Sequence, residues 1–251
     1  MTSRMILLTD LDDTLFTSER NLRDAGESVA AAVDRQGQPR SYQCPRQQRL
    51  WSGLSAMADV VVPVTGRNSQ ALERVGLFTS PEISIVSHGA LVLQHGVINA
   101  VWAERLDEEI EEAHKRLKHA HSDLMLALSS GSHQDLRAQV LEDHGVPVYL
   151  TVKNNRYEAF NQVTWDLLHN VAELNGLSLH INERNAALRP PYTRKSAACA
   201  FVLDTILERQ PEDTVMTFGD SLSDLPFMGA GDVAMAPTQS QIWNSMKELA
   251  Q

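Results

Sequence analysis

The chain has 251 residues, 43% of them hydrophobic and 22% charged, which is the balance of a globular protein and excludes a disordered or fibrous one. Lys and Arg number 22 against 32 Asp and Glu, a net charge of -10 that argues against a general nucleic-acid binder, because such a surface needs cations to displace phosphate counterions. Two cysteines, Cys44 and Cys199, exclude a disulfide framework and fit a reducing, cytoplasmic setting. No stretch approaches the ~20 apolar residues of a membrane span. The run Met5-Ile6-Leu7-Leu8 is too short for the core of a signal peptide. Neither a nucleic acid nor a membrane is expected as a partner, and the oligomeric state is open.

In chain order, Met5 to Thr9 is a continuous apolar run ending in a polar loop, the pattern of a strand buried on both faces of a parallel sheet. Residues 23–45 read as a helix around Ala30 to Val33, followed by a loop broken at Gly37, Pro39 and Pro45. Leu50, Leu54, Met57 and Ala58 recur at helical spacing and predict a crossover helix. Val60 to Val64, stopped by Thr65-Gly66, is a second buried strand, and Ile83 to Val86 a third. The texture then changes. Leu91 to Leu93 and Val97-Ile98 flank Gln94-His95-Gly96 as a hairpin would, and Leu106, Ile110, Ala113, Leu117 and Ala120 mark one face of an amphipathic helix. Val146 to Val152 and Leu177 to Ile181 read as strands, with a helix marked by Val163, Leu167, Leu168 and Val171 between them. Ala198, Phe201, Val202 and Ile206 predict another crossover helix, before strands at Val215 to Phe218 and Val233 to Ala236. The expected architecture is α/β, a doubly wound Rossmann-like parallel sheet core made of residues 1–87 and 190–251, with an inserted α+β domain over 88–189.

Chemistry concentrates at the strand ends. The first strand runs into Asp10-Leu11-Asp12-Asp13-Thr14, and alternation in an extended segment would aim Asp10 and Asp12 to one side, past the carboxyl end of the strand where open α/β sheets bind ligands. Two carboxylates this close are tolerable if a cation neutralises them or one is protonated. One suits a nucleophile on phosphorus and the other a general acid and then base. An Asp-rich turn capping a helix is the plain alternative. The strand Val215 to Phe218 likewise empties into Gly219-Asp220-Ser221-Leu222-Ser223-Asp224, hard oxygen donors suited to Mg²⁺ or an ordinary Asp-Ser turn. Thr65-Gly66-Arg67, with a helix starting near Ser69, has the makings of a small anion site. Lys195 opens a helix and is either a balancing charge or solvated.

These segments, Asp10-Leu11-Asp12-Asp13-Thr14, Thr65-Gly66-Arg67, Lys195 and Gly219-Asp220 with Asp224, resemble in order the four motifs of the haloacid dehalogenase superfamily. The long insertion between the second and third is similar to the cap of its Cof-type branch, which includes sucrose-phosphate and mannosyl-phosphoglycerate phosphatases. The resemblance implies Asp10 as nucleophile, Asp12 as general acid/base, and Thr65 and Lys195 as phosphate holders. It implies Mg²⁺ held by Asp10, the backbone carbonyl of Asp12 and Asp220, with Asp224 in support. Two departures stand out: the Asp12-to-Thr65 spacing is long, so 23–45 reads as an insertion, and Ser87-His88-Gly89-Ala90 replaces the Asn-Gly-Ala frequent in relatives.

Within the resemblance, a second carboxylate at Asp12 implies a phosphatase or phosphotransferase and not a dehalogenase, since an alkoxide leaving group needs a proton and halide does not. The expected function is hydrolysis of a small phosphorylated metabolite, a sugar or glycosyl phosphate, with transfer to another hydroxyl or a non-catalytic sensor as the alternatives. Besides Gly66 and Arg67, the residues set against the substrate are Asn154, Arg156, Arg184 and Asn185 in the cap, with Lys153 and Glu183 nearby; each is equally readable as a solvated loop residue. Four carboxylates converging on one Lys predict measurable stabilisation by metal. The His114, His119 and His121 group reads as solvated surface.

Overall fold

The computed structural model describes residues 3–22, 27–129, 135–156, 158–182 and 185–250. It divides into two compact units, Met1–Trp102 with Arg194–Gln251, and Ala103–Thr193.

In the first unit, β1 (Met5–Thr9) lies between β13 (Thr214–Phe218) and β5 (Val60–Pro63), with β14 (Val233–Met235) at the far edge, all parallel. Ile6, Leu7 and Leu8 have no exposure at all, which is what an uninterrupted apolar strand in a covered parallel sheet requires. Thr9 pairs with Phe218, so the loops after β1 and β13 leave the sheet side by side where the strand order reverses. α1 (Pro45–Met57), α5 (Lys195–Phe201), α6 (Leu225–Met228) and α7 (Gln241–Leu249) belong to the same unit.

Three sequence expectations change here. The Ala30 to Val33 stretch is not helical. It forms β3 (Val29–Val33), antiparallel to β4 (Pro39–Gln43), which also pairs with β2 (Thr17–Ser18). Too few residues lie between breakers to nucleate a helix. The Asp34 carboxylate accepts from the N–H groups of Gln36 and Gln38 and closes the hairpin, while Val33 N–H donates to Arg74 O and Gly76 N–H to Ala31 O. Ile83 to Val86 (β6) also departs from the parallel pattern. It pairs antiparallel with β7 (Leu91–Gln94), which pairs with β8 (Val97–Ile98), and meets β5's extension through a parallel bridge from Val64 to Ile85. Residues 88–102 therefore pack in the first unit. Trp102 fastens them, its indole N–H donating to Ala90 O at 3.0 Å and its ring lying 5.1 Å from that of Phe201. The division falls at Ala103, not at the texture change near His88.

The second unit is a four-stranded antiparallel sheet, in the order β11 (Ser178–Asn182), β12 (Asn185–Arg189), β10 (Val146–Asn154), β9 (Leu136–Asp143). Leu117, Ala120 and Leu124 of α3 (Ala100–Ser129) and Leu168, Val171 and Ala172 of α4 (Gln162–Leu174) share one core with Leu150, Val152, Ala186 and Leu188 of the sheet. β9 and β12 escape a pattern reading because their inward positions include Ala138 and Ala186, weak apolar markers. Off the apolar face of α3, Lys115 and Arg116 pair with Glu111 and Glu112 one turn back, and His119 is exposed. No described helix is long and apolar enough to cross a membrane.

Candidate active site

The site grows from the adjoining ends of β1 and β13. Asp10 N–H donates to Phe218 O at 2.8 Å, which seats the first residue past β1 against the end of its neighbour. Beyond Thr9 the chain turns tightly: Leu15 N–H donates to Leu11 O at 2.9 Å, and Asp13 takes a left-handed φ of 59°. Strand alternation therefore does not extend to Asp12. Asp10 is buried, whereas the Asp12 side chain is 48% exposed and turned to Arg67.

Carboxylate oxygens of Asp10, Asp220 and Asp224 lie within 4.8 Å of one another. Asp12 is outside this group. Gly219 makes the approach possible: a Cβ there would stand 2.8 Å from both Asp224 Cβ and Met228 Sδ. Lys195, at the first position of α5, closes the cluster with Nζ 2.6 Å from Asp10 Oδ1 and 2.7 Å from Asp224 Oδ1. Its ammonium also lies over the Phe227 ring, 5.5 Å from the centroid. Thr14 Oγ1 stands 3.1 Å from Asp10 Oδ2 and 3.3 Å from Asp220 Oδ1, so one hydroxyl serves whichever oxygen is charged. Ser221 holds Asp224 Oδ2 from backbone N–H and hydroxyl, at 3.1 and 2.8 Å.

Three carboxylates face one ammonium, and the imbalance shows in their acidities. Burial, opposed by Lys195 but reinforced by Asp224 and Asp220, pushes the Asp10 carboxyl up to about 8. Burial and the charges of Asp224 and Asp13 raise Asp220 to about 7. Burial would also raise Asp224, but the Lys195 ammonium and the Ser221 hydrogen bonds outweigh it and hold that carboxyl below its usual range. Lys195 is held above its ordinary value because the two aspartates more than offset its burial. A cluster of hard oxygen donors carrying more negative charge than its lysine neutralises fits a small divalent cation such as Mg²⁺.

The second loop comes from β5. Val64 N–H donates to Thr9 O, bringing Thr65 beside the Asp10 strand, and Thr65 Oγ1 accepts from Arg67 N–H at 3.0 Å. The helix that follows, α2 (Ser69–Leu72), is a single turn. Any anion site at Thr65-Gly66 therefore rests on the hydroxyl and loop amides and not on a helix dipole. The Ser87–Gly89 turn is wedged alongside, with His88 N–H donating to Thr65 O, the His88 ring against Gly66, and Gly89 against the backbone of Arg194 and Lys195. Gly89 has a φ of 91° and no room for a side chain, so only glycine fits. The turn ties the Thr65 loop to the start of α5, a contact the departure from Asn-Gly-Ala left open.

Arg67, read from sequence as a substrate group, has its guanidinium on both oxygens of Asp12 at 2.7 Å. The expected four carboxylates against one Lys are thus two groups: three around Lys195, and Asp12 paired with Arg67. Thr14 and Ser221 carry no isolated sequence signal, although Thr14 stands four residues after Asp10. In the second unit, Asn154 Oδ1 accepts from Arg156 N–H at 2.9 Å, the Arg156 guanidinium reaches Asp135 at 2.8 Å, and Asn185 is exposed at the start of β12. Arg184 and Glu183 lie outside the described residues.

No family model and no curated protein matches the chain. Solved structures do. The sucrose-phosphatase of Synechocystis sp., solved with sucrose and phosphate, aligns over 99% of this chain and 98% of its own at 15% identity, with a TM-score of 0.54. A trehalose-6-phosphate phosphatase related protein aligns over 98% of each chain at 17% identity and a TM-score of 0.50. The IMP-nucleotidase of Plasmodium falciparum aligns over 97% of this chain and 70% of its own at 11% identity, with a TM-score of 0.53. With a parallel-sheet unit interrupted in sequence by an α+β unit, and likeness over nearly all of its length to these solved structures, the chain has the fold that they have.

Proposed function

We propose that the chain is a Mg²⁺-dependent phosphomonoester hydrolase that acts on a small phosphorylated metabolite through an aspartyl-phosphate on Asp10. The observation that carries this reading is the buried Asp10 carboxylate, bonded to Lys195 and grouped with Asp220 and Asp224 at the carboxyl edge of the sheet. Mg²⁺, held by Asp10 and Asp220 with the Asp12 carbonyl and Asp224 in support, would neutralise charge on the phosphoryl oxygens. Asp10 attacks phosphorus in line with the departing oxygen. Lys195 holds a phosphoryl oxygen as a point charge, and the Thr65 hydroxyl with the Gly66 amide holds another. Asp12 gives a proton to the leaving oxygen, then takes one from the water that hydrolyses the intermediate.

Substrate choice is assigned to Asn154, Arg156, Arg184 and Asn185 in the second unit. Two fold relatives are named for sucrose phosphate and trehalose phosphate, which supports a sugar phosphate as the class to try first. The test is phosphate release from sugar phosphates, glycosyl phosphates and an aryl phosphate, with Mg²⁺ or chelator. Turnover with Mg²⁺ alone supports the reading. Release that requires an added acceptor hydroxyl would make the chain a phosphotransferase, and Mg²⁺ binding without turnover of any ester would make it a sensor.

The cluster also sets a pH dependence. Asp10 and Asp220 titrate in the folded state near 8 and 7, above the ordinary 3.8, so the folded chain binds protons that the unfolded chain has released. The stability this gives is complete below about pH 4 and is lost as pH rises through 7 and 8. A metal competes with those protons and replaces them. Saturating Mg²⁺ is therefore expected to raise Tm more at pH 8 than at pH 5, measured against chelator at each pH. An equal gain at both would contradict the electrostatic reading.

A further inference from the structure

Arg67 and Asp12 form a second charged centre in the first unit, outside the carboxylates grouped around Lys195. The guanidinium donates from Nε to Asp12 Oδ2 and from Nη2 to Asp12 Oδ1, both at 2.7 Å, a two-point fork that fixes the position and the roll of the carboxylate. Arg67 is itself braced. Its guanidinium carbon lies 5.1 Å from the centroid of the Phe16 ring, and Nη2 reaches Ser41 Oγ at 3.4 Å. Phe16 and Ser41 are both buried. Ser41 belongs to β4, where Thr17 pairs with Tyr42, and the buried Gln43 amide donates to Leu15 O at 3.1 Å. The three-stranded sheet built from the extra residues before α1 thus grips the Asp12 loop at Leu15 to Thr17 and touches the arginine that holds Asp12.

We propose that Arg67 is a positioning residue for Asp12: it aims the carboxyl at the leaving-group oxygen, and the three-stranded sheet holds the pair in place. This rests on the phosphatase reading above. A carboxylate offers about four lone-pair sites, the fork occupies two, and one on each oxygen is left for the proton in transit. In the step concerned, an Asp10 oxygen bonds to phosphorus as the bond from phosphorus to the leaving oxygen breaks. The leaving oxygen keeps that electron pair and takes the proton from Asp12, which ends as a carboxylate. A misplacement of about 1 Å costs on the order of 100-fold in such a step. The loss is greatest where the leaving oxygen is basic and small where it departs as a stable anion. An arginine that gripped the substrate phosphate instead would matter equally for every ester.

The test compares kcat/KM for phenyl phosphate and 4-nitrophenyl phosphate, similar esters with leaving groups of different basicity, at saturating Mg²⁺. The proteins are wild type, Asp12→Asn, Arg67→Lys, Arg67→Met and the double variant Asp12→Asn/Arg67→Met. Arg67→Met is expected to lose at least about tenfold more on phenyl phosphate than on the nitrophenyl ester, within the range a positioning error supports. Arg67→Lys keeps the cation but not the fork and falls between. The double variant shows no more leaving-group discrimination than Asp12→Asn alone, because both substitutions remove one function. Equal losses on the two esters, or discrimination that multiplies in the double variant, overturn the inference and leave the phosphatase reading intact. Wild type that hydrolyses neither these esters nor any sugar or glycosyl phosphate overturns both. If Arg67→Met melts below the assay temperature, Arg67→Lys carries the same comparison.

Discussion

Asp10→Asn is expected to abolish turnover, with a loss of ~10⁴-fold or more, while leaving the fold as stable as wild type or more so. The first half follows from removing a nucleophile whose step no neighbour can take over. The second half is less usual and comes from the cluster's charge. Asn keeps an oxygen for Lys195 Nζ to bond, in place of Asp10 Oδ1 at 2.6 Å, and removes one of three carboxylates sharing a single ammonium. Asp10 titrates near 8 in the fold, so around and above that pH its burial as an anion opposes folding, and the amide carries no such cost. Thermal melts in chelator at pH 8 check the stability, and phosphate release with Mg²⁺ checks the activity. A variant with more than about 1% of wild-type turnover, far above the residual expected for a lost nucleophile, contradicts the assignment of Asp10.

Lys195→Met is expected to fail in the opposite way, losing stability as well as activity. The lysine side chain is 10% exposed and bonds Asp10 and Asp224, the latter 1% exposed. Deleting it leaves buried carboxylates without a counter-charge, a change that typically costs 3–5 kcal/mol. Protonation relieves that cost, so the gap between wild type and variant should widen from pH 5 to pH 8 in urea unfolding with chelator present. Activity should fall by on the order of 10²–10³, as when one preorganised donor to a developing anion is removed. A gap that stays the same from pH 5 to pH 8 would contradict the role of the Lys195 ammonium as counter-charge to the buried carboxylates.

Much of this was legible before the fold, for a physical reason. Met5 to Leu8 and, Thr217 apart, Val215 to Phe218 are apolar because both faces of a parallel strand are covered, and such runs betray their own ends. Asp10 and Asp220 stand at those ends, and the sheet brings them together by pairing Thr9 with Phe218. What the sequence concealed depended on contacts between distant segments. Ala30 to Val33 have a helix former's composition, yet Arg74 O and β4 supply strand partners that no local pattern reveals. Arg67 reads like a substrate-binding residue because a loop arginine after Thr-Gly is aimed by its surroundings, and here Asp12, Phe16 and Ser41 are those surroundings. Asp12 and Asp10 look equivalent two residues apart, but the turn beginning past Thr9 buries one and exposes the other.

The most direct test of the aspartyl-phosphate mechanism is to trap that intermediate. Asp12→Asn, mixed with 4-nitrophenyl phosphate and Mg²⁺, still allows departure of a stable leaving group but lacks the base that activates the hydrolytic water. Acid quenching followed by peptide mass analysis should find the mass of one phosphoryl group on the peptide containing Asp10, and none in Asp10→Asn/Asp12→Asn. Release of nitrophenol at more than one equivalent per chain with no phosphoryl group on that peptide would contradict the mechanism.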